Sequence, residues 1–472
     1  MTLIIVLLFL LGYALIATAH VTGINKAAVA MFVCTAGWVL YICYGMDFVM
    51  NQHTQEYLEF LAGSNSAAGS ASTSVKEFIY DSIFLKYVGK ASAIVMFLLA
   101  TMTIIEILNN NGCFDFIAQW IRTRESKRLL WTITFATFVI SANLDNLTTT
   151  TMMLVIMHSI VQNRRQRMLI GTAIVLAANT GGCFTVIGDP ACVALWGDGA
   201  ITASDFSAYL VGPALLAWII PTWLIGRCLP SHLDVAWVSM PYRGDDTNLN
   251  KWQRLLMLFV GIGGLWFIPT FHNITKLSPF LGALCVLSVL WIVHEVINRK
   301  LMNADQMIQR RVPRVLQYGT LQQMLFVMGI MLGIGVTYET GFLTSVSEWL
   351  DYNVHNVWIM GVFTGLLSGV VDTFTVAMTD ISMYPVVEGN IDRWVDADYM
   401  ACFVQNGAYW KIIAYSTAVG GCLFGFANVS GLALMKMERM RVGWYLKNCT
   451  PKILVGWLAG FALLYAEYCF FE

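Results

Sequence analysis

Two acidic residues stand inside apolar runs of the chain. Asp145 lies in S-A-N-L-D-N-L-T-T-T-T (141–151), and Asp372 lies in S-G-V-V-D-T-F-T-V-A-M-T-D (368–380). A carboxylate at membrane depth is costly and persists mainly where an ion or proton path needs it. Hard cations prefer carboxylate, amide and hydroxyl oxygens. The alternative, that each aspartate only caps a helix, is disfavoured by the apolar flanks. The polar neighbours that would complete the two sites are Asn143, Asn146, Thr148, Thr373 and Thr375.

A glycine pair follows each of these segments. The first pair ends A-A-N-T-G-G (177–182) and the second ends S-T-A-V-G-G (416–421). Glycines let a helix unwind and expose its carbonyls to a bound ion. Aligning G-G-C-F with G-G-C-L places Asp189 opposite Asn428, and Asp189 has two open roles, helix cap and ion ligand. The candidate residues of the two breaks are Asn179, Thr180, Gly181, Gly182, Asp189, Ser416, Thr417 and Asn428.

Three further charged residues are candidates for relaying protons. Glu106 and Glu339 stand near the ends of the apolar runs that precede the two acidic segments, and Lys411 stands early in a later run. Each glutamate could relay a proton or extend towards the membrane interface, and the position of Glu339 favours the interface. Lys411 could pair with a carboxylate or extend outward.

The composition places these residues in a membrane protein. Of the 472 residues, 57% are hydrophobic and 12% are charged, and soluble proteins carry about 25% charged residues. Runs of spanning length predict an all-α polytopic membrane protein with about ten transmembrane helices. These runs lie at 2–19, 27–45, 91–110, 168–196, 206–229, 252–272, 278–298, 318–338, 400–434 and 452–470.

Two more apolar runs, 129–162 and 356–388, are interrupted halfway by the acidic motifs. Each arm has roughly 14–17 residues, short for a span of about 20, so we predict two re-entrant hairpins. Basic residues flank the first hairpin on both sides, whereas acidic residues dominate around the second. Under the positive-inside rule the first opens to the cytoplasm and the second to the outside. Opposite orientation predicts an inverted-repeat transporter.

Each predicted half of the chain carries one hairpin followed by one broken helix. The longest loop, residues 46–90, contains a low-complexity run from Ser64 to Ser74, which predicts a flexible connection. The predicted parts are the N-terminal half 1–229 with hairpin 129–162 and broken helix 168–196, the linker 230–251, and the C-terminal half 252–472 with hairpin 356–388 and broken helix 400–434.

The chain carries none of the motifs that mark ATP hydrolysis or a hydrolase. The patterns G-x-x-x-x-G-K-[ST], H-E-x-x-H and G-x-S-x-G are absent. Eleven cysteines without C-x-x-C spacing predict neither a disulfide framework nor a zinc site, and no basic arm indicates nucleic acid binding. We therefore expect no enzyme activity and no cofactor. The expected partners are the lipid bilayer and small cations, and homodimer formation is left open.

Several stretches resemble the NhaD-type sodium/proton antiporters, within the ion transporter superfamily that includes citrate, dicarboxylate and arsenite carriers. The resembling stretches are 11–30, 97–106, L-D-N-L-T-T-T (144–150), A-A-N-T-G-G-C-F-T-V-I-G-D (177–189) and 437–447. The resemblance implies exchange of Na⁺ or Li⁺ for H⁺ across the cell (inner) membrane, driven by the proton gradient. It implies functional positions at Glu106, Ser141, Asp145, Thr148, Asp189, Ser368 and Asp372.

The second half departs from the pattern of that family. Thr373 stands where an Asn is usual, and F-A-N-V-S-G replaces G-S-A-A-G after the second break. The runner-up interpretation is a Na⁺-coupled carrier of an anion such as citrate, a dicarboxylate or arsenite. An anion carrier would prefer uncharged hairpin tips and a neutralising cation, and only Lys411 offers such a charge. Ion preference and stoichiometry are left open.

Overall fold

The structure, a computed structural model, describes residues 2–63, 71–114, 116, 123, 125–234, 249–298, 318–389 and 396–471. Within these ranges the regular structure is helical, apart from isolated bridges between Glu125 and His232 and between Val387 and Val404. Most of the linker predicted at 230–251 and the centre of the low-complexity run lie outside the described residues.

Polar caps and glycines divide the apolar runs into helices of very different lengths. One of them, α6, continues into a π-helical turn, Ile79–Phe84. The helices of the described residues are α1 (Thr2–Ala17), α2 (Ala19–Thr22), α3 (Lys26–Cys43), α4 (Gly45–Gln52), α5 (Thr54–Gly63), α6 (Ala71–Phe78), α7 (Leu85–Asn110), α8 (Ser126–Ser141), α9 (Asn146–Ile160), α10 (Arg164–Cys183), α11 (Pro190–Gly197), α12 (Ala203–Gly226), α13 (Lys251–Thr275), α14 (Pro279–Asn298), α15 (Tyr318–Glu339), α16 (Phe342–Asn353), α17 (Val357–Val370), α18 (Thr373–Met383), α19 (Ala397–Ala401), α20 (Ala408–Gly420), α21 (Val429–Met437), α22 (Val442–Asn448) and α23 (Thr450–Phe471).

The predicted all-α polytopic membrane fold is confirmed. In the described part of the chain, seven helical segments are long and apolar enough to cross a membrane; they fall in α3, the run Ser72–Asn110, α12, α13, α14, α15 and α23. The other three predicted spans are short or divided. α1 has 16 residues, 168–196 is split between α10 and α11, and 400–434 is split between α20 and α21.

Each segment predicted as a hairpin consists of two short helices joined by a tight turn. α8 and α9 form the first pair, and α17 and α18 form the second. At each turn an aspartate stands where the second helix begins. Whether the pairs enter and leave the membrane on one side stays a prediction.

Contrary to the prediction, the first glycine pair does not unwind its helix, whereas the second pair stands at the end of its helix. α10 continues through Gly181 and Gly182 to Cys183, and α20 ends at Gly420. A side chain at Gly181 would meet the backbone carbonyl of Phe138 in α8, and one at Gly420 would meet the backbone of Gly365 in α17. The glycines therefore let the first arm of each hairpin pack closely against the helix before the break.

One compact unit comprises Met1–Val95, Leu321–Asn356 and Met378–Pro385. Its core joins residues of α3 to those of the predicted loop 46–90, including Phe48, Tyr57 and Phe78. The prediction of a flexible connection there is wrong for the described part of the loop. The residues that flank the serine-rich run fold as α4, α5 and α6, and each of these helices contributes buried apolar side chains to this core.

The second compact unit comprises Met96–Thr320, Val357–Ala377 and Val386–Glu472. It contains both hairpin turns and both broken helices. The main packing is of α8 against α10, of α17 against α20, and of α12 against α23. Each hairpin thus packs on the broken helix that follows it in the sequence.

Candidate ion-binding site

The first hairpin places Asp145 at the start of α9, where it caps the helix. Its Oδ2 accepts hydrogen bonds from the backbone N–H of Thr148 at 3.1 Å and from the Thr148 hydroxyl at 3.3 Å. The side chain is buried, with 4% of its surface exposed. The positive end of the α9 dipole faces this carboxylate.

The second hairpin repeats this arrangement around Asp372. Its Oδ2 accepts from the backbone N–H of Thr375 at 3.2 Å and from the Thr375 hydroxyl at 3.1 Å. Asp372 is fully buried. The two aspartates therefore share one local geometry, in which a three-residue step leads from the carboxylate to a threonine. The capping role that the sequence offered as an alternative is present at both.

A serine one turn before each aspartate ties the hairpin to a broken helix. The Ser141 hydroxyl donates to the carbonyl of Ala178 at 2.6 Å, and the Ser368 hydroxyl donates to the carbonyl of Thr417 at 2.8 Å. Both serines are fully buried. Because the acceptor carbonyls lie just before the glycine pairs, these bonds fix the acidic turns beside the breaks.

The residues that begin the helices after the two breaks, Asp189 and Asn428, occupy corresponding positions. Asp189 caps α11 by accepting from the backbone N–H of Ala191 at 2.9 Å, and Asn428 caps α21 by accepting from the backbone N–H of Ser430 at 2.9 Å. The alignment that placed Asp189 opposite Asn428 therefore matches their positions in the fold. Asp189 therefore caps the helix through Oδ1, and its Oδ2 accepts a hydrogen bond from Asn146.

Asn179 connects polar groups from both halves of the chain. Its Oδ1 accepts from Asn146 Nδ2 at 3.1 Å and also from Asn428 Nδ2. Asn146 Nδ2 lies 2.9 Å from Asp189 Oδ2 as well. Since Asn179 is fully buried, it holds the first hairpin and both helix breaks in one hydrogen-bonded cluster.

Three buried carboxylates converge on this cluster. Asp145 and Asp372 both interact electrostatically with Asp189. In the described part of the chain, no group of three His, Cys, Asp or Glu forms a metal-binding cluster. Neutral oxygens around one or two carboxylates are a different donor set, suited to an alkali cation. The arrangement can neutralise its negative charge by taking up either cations or protons.

The remaining predicted ligands differ in whether their hydroxyl groups already make hydrogen bonds. Thr180 and Thr417 donate to carbonyls of their own helices, at 2.8 Å and 2.7 Å. The Thr373 methyl lies against Gly421. The Ser416 hydroxyl is buried and has no hydrogen-bond partner among the described residues, so it is the hydroxyl of this group most open to an ion.

The structure separates Asn143 from the cluster. Its Nδ2 donates to the carbonyl of Val139 at 2.9 Å, and its Oδ1 accepts from Trp266 Nε1. Trp266 itself is 66% exposed. The amide therefore points away from the buried acids and is occupied by its own helix and by α13.

The proton-relay candidates Glu106 and Lys411 lie in the same unit as this cluster. Glu106 is half-buried one turn before the end of α7. Lys411 is buried; its Nζ is 3.0 Å from Asp205 Oδ2 and 3.6 Å from the centre of the Tyr209 ring. Of the two roles left open, Lys411 takes the carboxylate pairing.

Glu339 belongs to the other compact unit and is the last residue of α15, so its interfacial position stays a prediction. It is buried, with 4% exposed. One oxygen lies 2.6 Å from His53 Nε2, and the other accepts from the Tyr87 hydroxyl at 2.6 Å. Both partners lie far from Glu339 in the sequence. The hydrogen bond to Glu339 raises the pKa of His53.

Sequence reasoning missed the role of buried hydroxyls beyond the acidic turns. Thr149, Thr150 and Ser430 are buried, and their hydroxyls have no hydrogen-bond partner among the described residues. The threonine run after Asp145 was noticeable in the sequence, but Ser430 carried no signal. Its helix, α21, packs against the helix that carries the threonines.

Comparison with known proteins finds one matching family and similar proteins that are named as sodium/proton antiporters. A family model described as "Citrate transporter" matches residues 1–403. The chain is 28% identical over 471 residues to Sodium/proton antiporter 1 of Arabidopsis thaliana, covering 98% of this chain and 72% of that protein. It is 26% identical over 398 residues to the Na(+)/H(+) antiporter NhaD of Vibrio parahaemolyticus, covering 77% of this chain and 87% of that one.

A solved structure shares the fold. The YdaH transporter of Alcanivorax borkumensis, described as having an unusual topology, matches with a TM-score of 0.56 and 12% sequence identity. The match covers 92% of this chain and 98% of that chain. At this identity the likeness concerns the fold alone.

Proposed function

The chain belongs to the citrate transporter family, and from this premise we propose that it exchanges Na⁺ or Li⁺ for H⁺ by alternating access. The relatives named as sodium/proton antiporters support this proposal. The transported ions are the only small molecules required, and no cofactor takes part. The membrane is the cell (inner) membrane, with the first hairpin open to the cytoplasm and the second to the outside.

One observation carries the proposal: a buried aspartate is paired with a threonine at both hairpin turns, and Asn179 joins the first turn to both helix breaks. Buried carboxylates that interact repel one another, so the cluster is stabilised when some of the charge is neutralised. A proton and a hard cation both neutralise a carboxylate, and each excludes the other from the same oxygen. Competition of this kind couples the two ions.

The direct assay is fluorescence dequenching in everted membrane vesicles that hold a proton gradient. Addition of Na⁺ or Li⁺ should release protons from the vesicle interior and restore the fluorescence. K⁺ and citrate serve as the comparison salts. Dequenching by citrate but not by chloride salts of Na⁺ or Li⁺ would refute the exchange mechanism.

A Na⁺-coupled anion carrier is the second candidate, favoured by the description of the matching family. Such a carrier needs a cationic group to neutralise its substrate. Lys411 is the basic residue that the sequence offered, but its ammonium group is paired with Asp205. Three acids at the cluster also disfavour an anion. Citrate uptake that depends on Na⁺ would establish this alternative.

A further inference from the structure

The helices α9 and α21 form a seam that begins at the candidate site. Each starts at a capping residue of the site, Asp145 for α9 and Asn428 for α21. The two helices pack against each other. They run in the same direction, because their far ends also meet: His158 Nδ1 lies 2.9 Å from Glu438 Oε1. The seam therefore leads from the buried acids to this ion pair, where Arg167 also binds Glu438.

The contacts along the seam fix its register. Leu154 and Leu434 both lie against Gly171, where a Cβ would be 3.3 Å from Leu154 Cδ2. One turn further from the site, His158 contacts Glu438. In each helix the two contact residues are four positions apart, so one turn nearer the site the same faces carry Thr150 and Ser430.

Both of these residues are fully buried, and neither hydroxyl has a hydrogen-bond partner among the described residues. Leaving a buried hydroxyl without a hydrogen-bond partner is destabilising. Thr150 and Ser430 are therefore positioned to bind something that enters the seam.

We infer that the hydroxyls of Thr150 and Ser430 form a second subsite for an alkali cation, one helical turn beyond the carboxylates. The inference rests on the proposed cation exchange. Neutral hydroxyl oxygens suit a partly dehydrated Na⁺ or Li⁺, and an anion would have to pass the three acids of the site. Leu154 and Leu434 follow one turn further from the site, so a cation bound there would lie between the carboxylates and the ion pair at the end of the seam.

The test is exchange activity of a Thr150→Val, Ser430→Ala double variant in proteoliposomes. Losing both hydroxyls should raise the Na⁺ concentration for half-maximal exchange at least about tenfold, as expected for a lost ligand to a charged group. Thr150→Ser keeps the hydroxyl and should stay close to wild type. Thr222→Val is the matched control, because Thr222 in α12 is also buried and its hydroxyl also lacks a partner among the described residues.

The possible outcomes test the subsite and the exchange mechanism separately. If wild-type protein fails to exchange Na⁺ for H⁺, the proposed function fails and the subsite falls with it. If wild type exchanges and the double variant has the same Na⁺ dependence, the subsite alone is refuted. An equal loss in Thr222→Val would also refute it, because removing any buried hydroxyl would then have the same effect.

A second measurement tests the geometry even if the double variant is unstable. Thr150→Cys combined with Ser430→Cys should create a pair of thiols that binds Cd²⁺. Micromolar Cd²⁺ should then inhibit exchange in the pair but not in either single variant. Equal Cd²⁺ sensitivity in the pair and the singles would show that the two side chains do not face one another.

Discussion

At the scale of single residues, the two hairpin turns differ at the position directly after the aspartate. Asn146 reaches both Asn179 and Asp189 through its amide, whereas Thr373, at the corresponding place after Asp372, directs a methyl group at Gly421. The second turn therefore keeps its carboxylate but contributes no bridging amide at that position. The unusual Thr373 of the sequence corresponds to a real asymmetry in the site.

Asp372 should still belong to the transport site despite this asymmetry. Asp372→Asn removes one of the charges that compete for cations and protons, so the Na⁺ concentration for half-maximal exchange should rise at least about tenfold and the pH profile should change. Exposed Asp398→Asn is the control and should leave both quantities as they are. An Asp372→Asn protein with wild-type Na⁺ dependence and pH profile would make this carboxylate structural only.

His53 gives a pH-dependent contribution to stability in the other unit. Its pKa is raised, first by the hydrogen bond to Glu339 and against the effect of burial. A raised pKa means that the charged histidine stabilises the folded state at pH below about 6.5, its ordinary pKa. This contribution disappears as the pH rises through the raised value. The melting-temperature difference between wild type and His53→Gln should therefore be larger at pH 6 than at pH 10. An equal difference at both would exclude the ion pair as its source.

At the scale of the elements, the sequence predicted where the apolar runs are interrupted, but not which distant residues the polar side chains contact. Polar residues in apolar runs located both hairpin turns, and Asp189-Pro190 located the restart of a helix. The hydrogen-bond partners of Glu339 could not be predicted because His53 and Tyr87 lie 286 and 252 residues away from it in the chain. The helices within 46–90 were missed because a serine-rich run obscured an apolar face that only tertiary packing completes.

The close packing of each hairpin on a broken helix should depend on its glycines. Gly420→Ala would drive a Cβ into the backbone of Gly365, so it should destabilise the protein by about 1–3 kcal/mol. Gly443→Ala, in α22, meets no atom within 4 Å and is the matched control. Thermal unfolding in detergent measures both. Equal melting temperatures for the two variants would contradict the packing role.

The hairpin orientations can be tested with single cysteines on a cysteine-free background. Lys127 and Arg165, exposed at the two ends of the first hairpin, should label only from the cytoplasmic side when replaced by cysteine. Cysteine at the exposed Asn353 and Asp398 should label only from outside. Labelling of 127 and 165 from opposite sides would make the first hairpin a full span and would refute the inverted repeat.

At the scale of the whole molecule, each compact unit draws segments from both predicted halves of the chain. A repeat along the sequence and a unit in space are different properties, so the halves 1–229 and 252–472 stay a prediction. The unit that holds the candidate site contains both acidic turns and both helix breaks. Ion exchange therefore requires that this one unit expose its acids to the two sides of the membrane in turn.

The most direct measurement of this account is Na⁺-dependent proton release from everted vesicles containing wild-type protein or Asp145→Asn. One carboxylate must bind H⁺ and Na⁺ in alternation, and an amide cannot. Wild type should dequench on addition of Na⁺ or Li⁺, and Asp145→Asn should show no response while reaching the same level in the membrane. Exchange by Asp145→Asn near the wild-type rate would contradict the central claim.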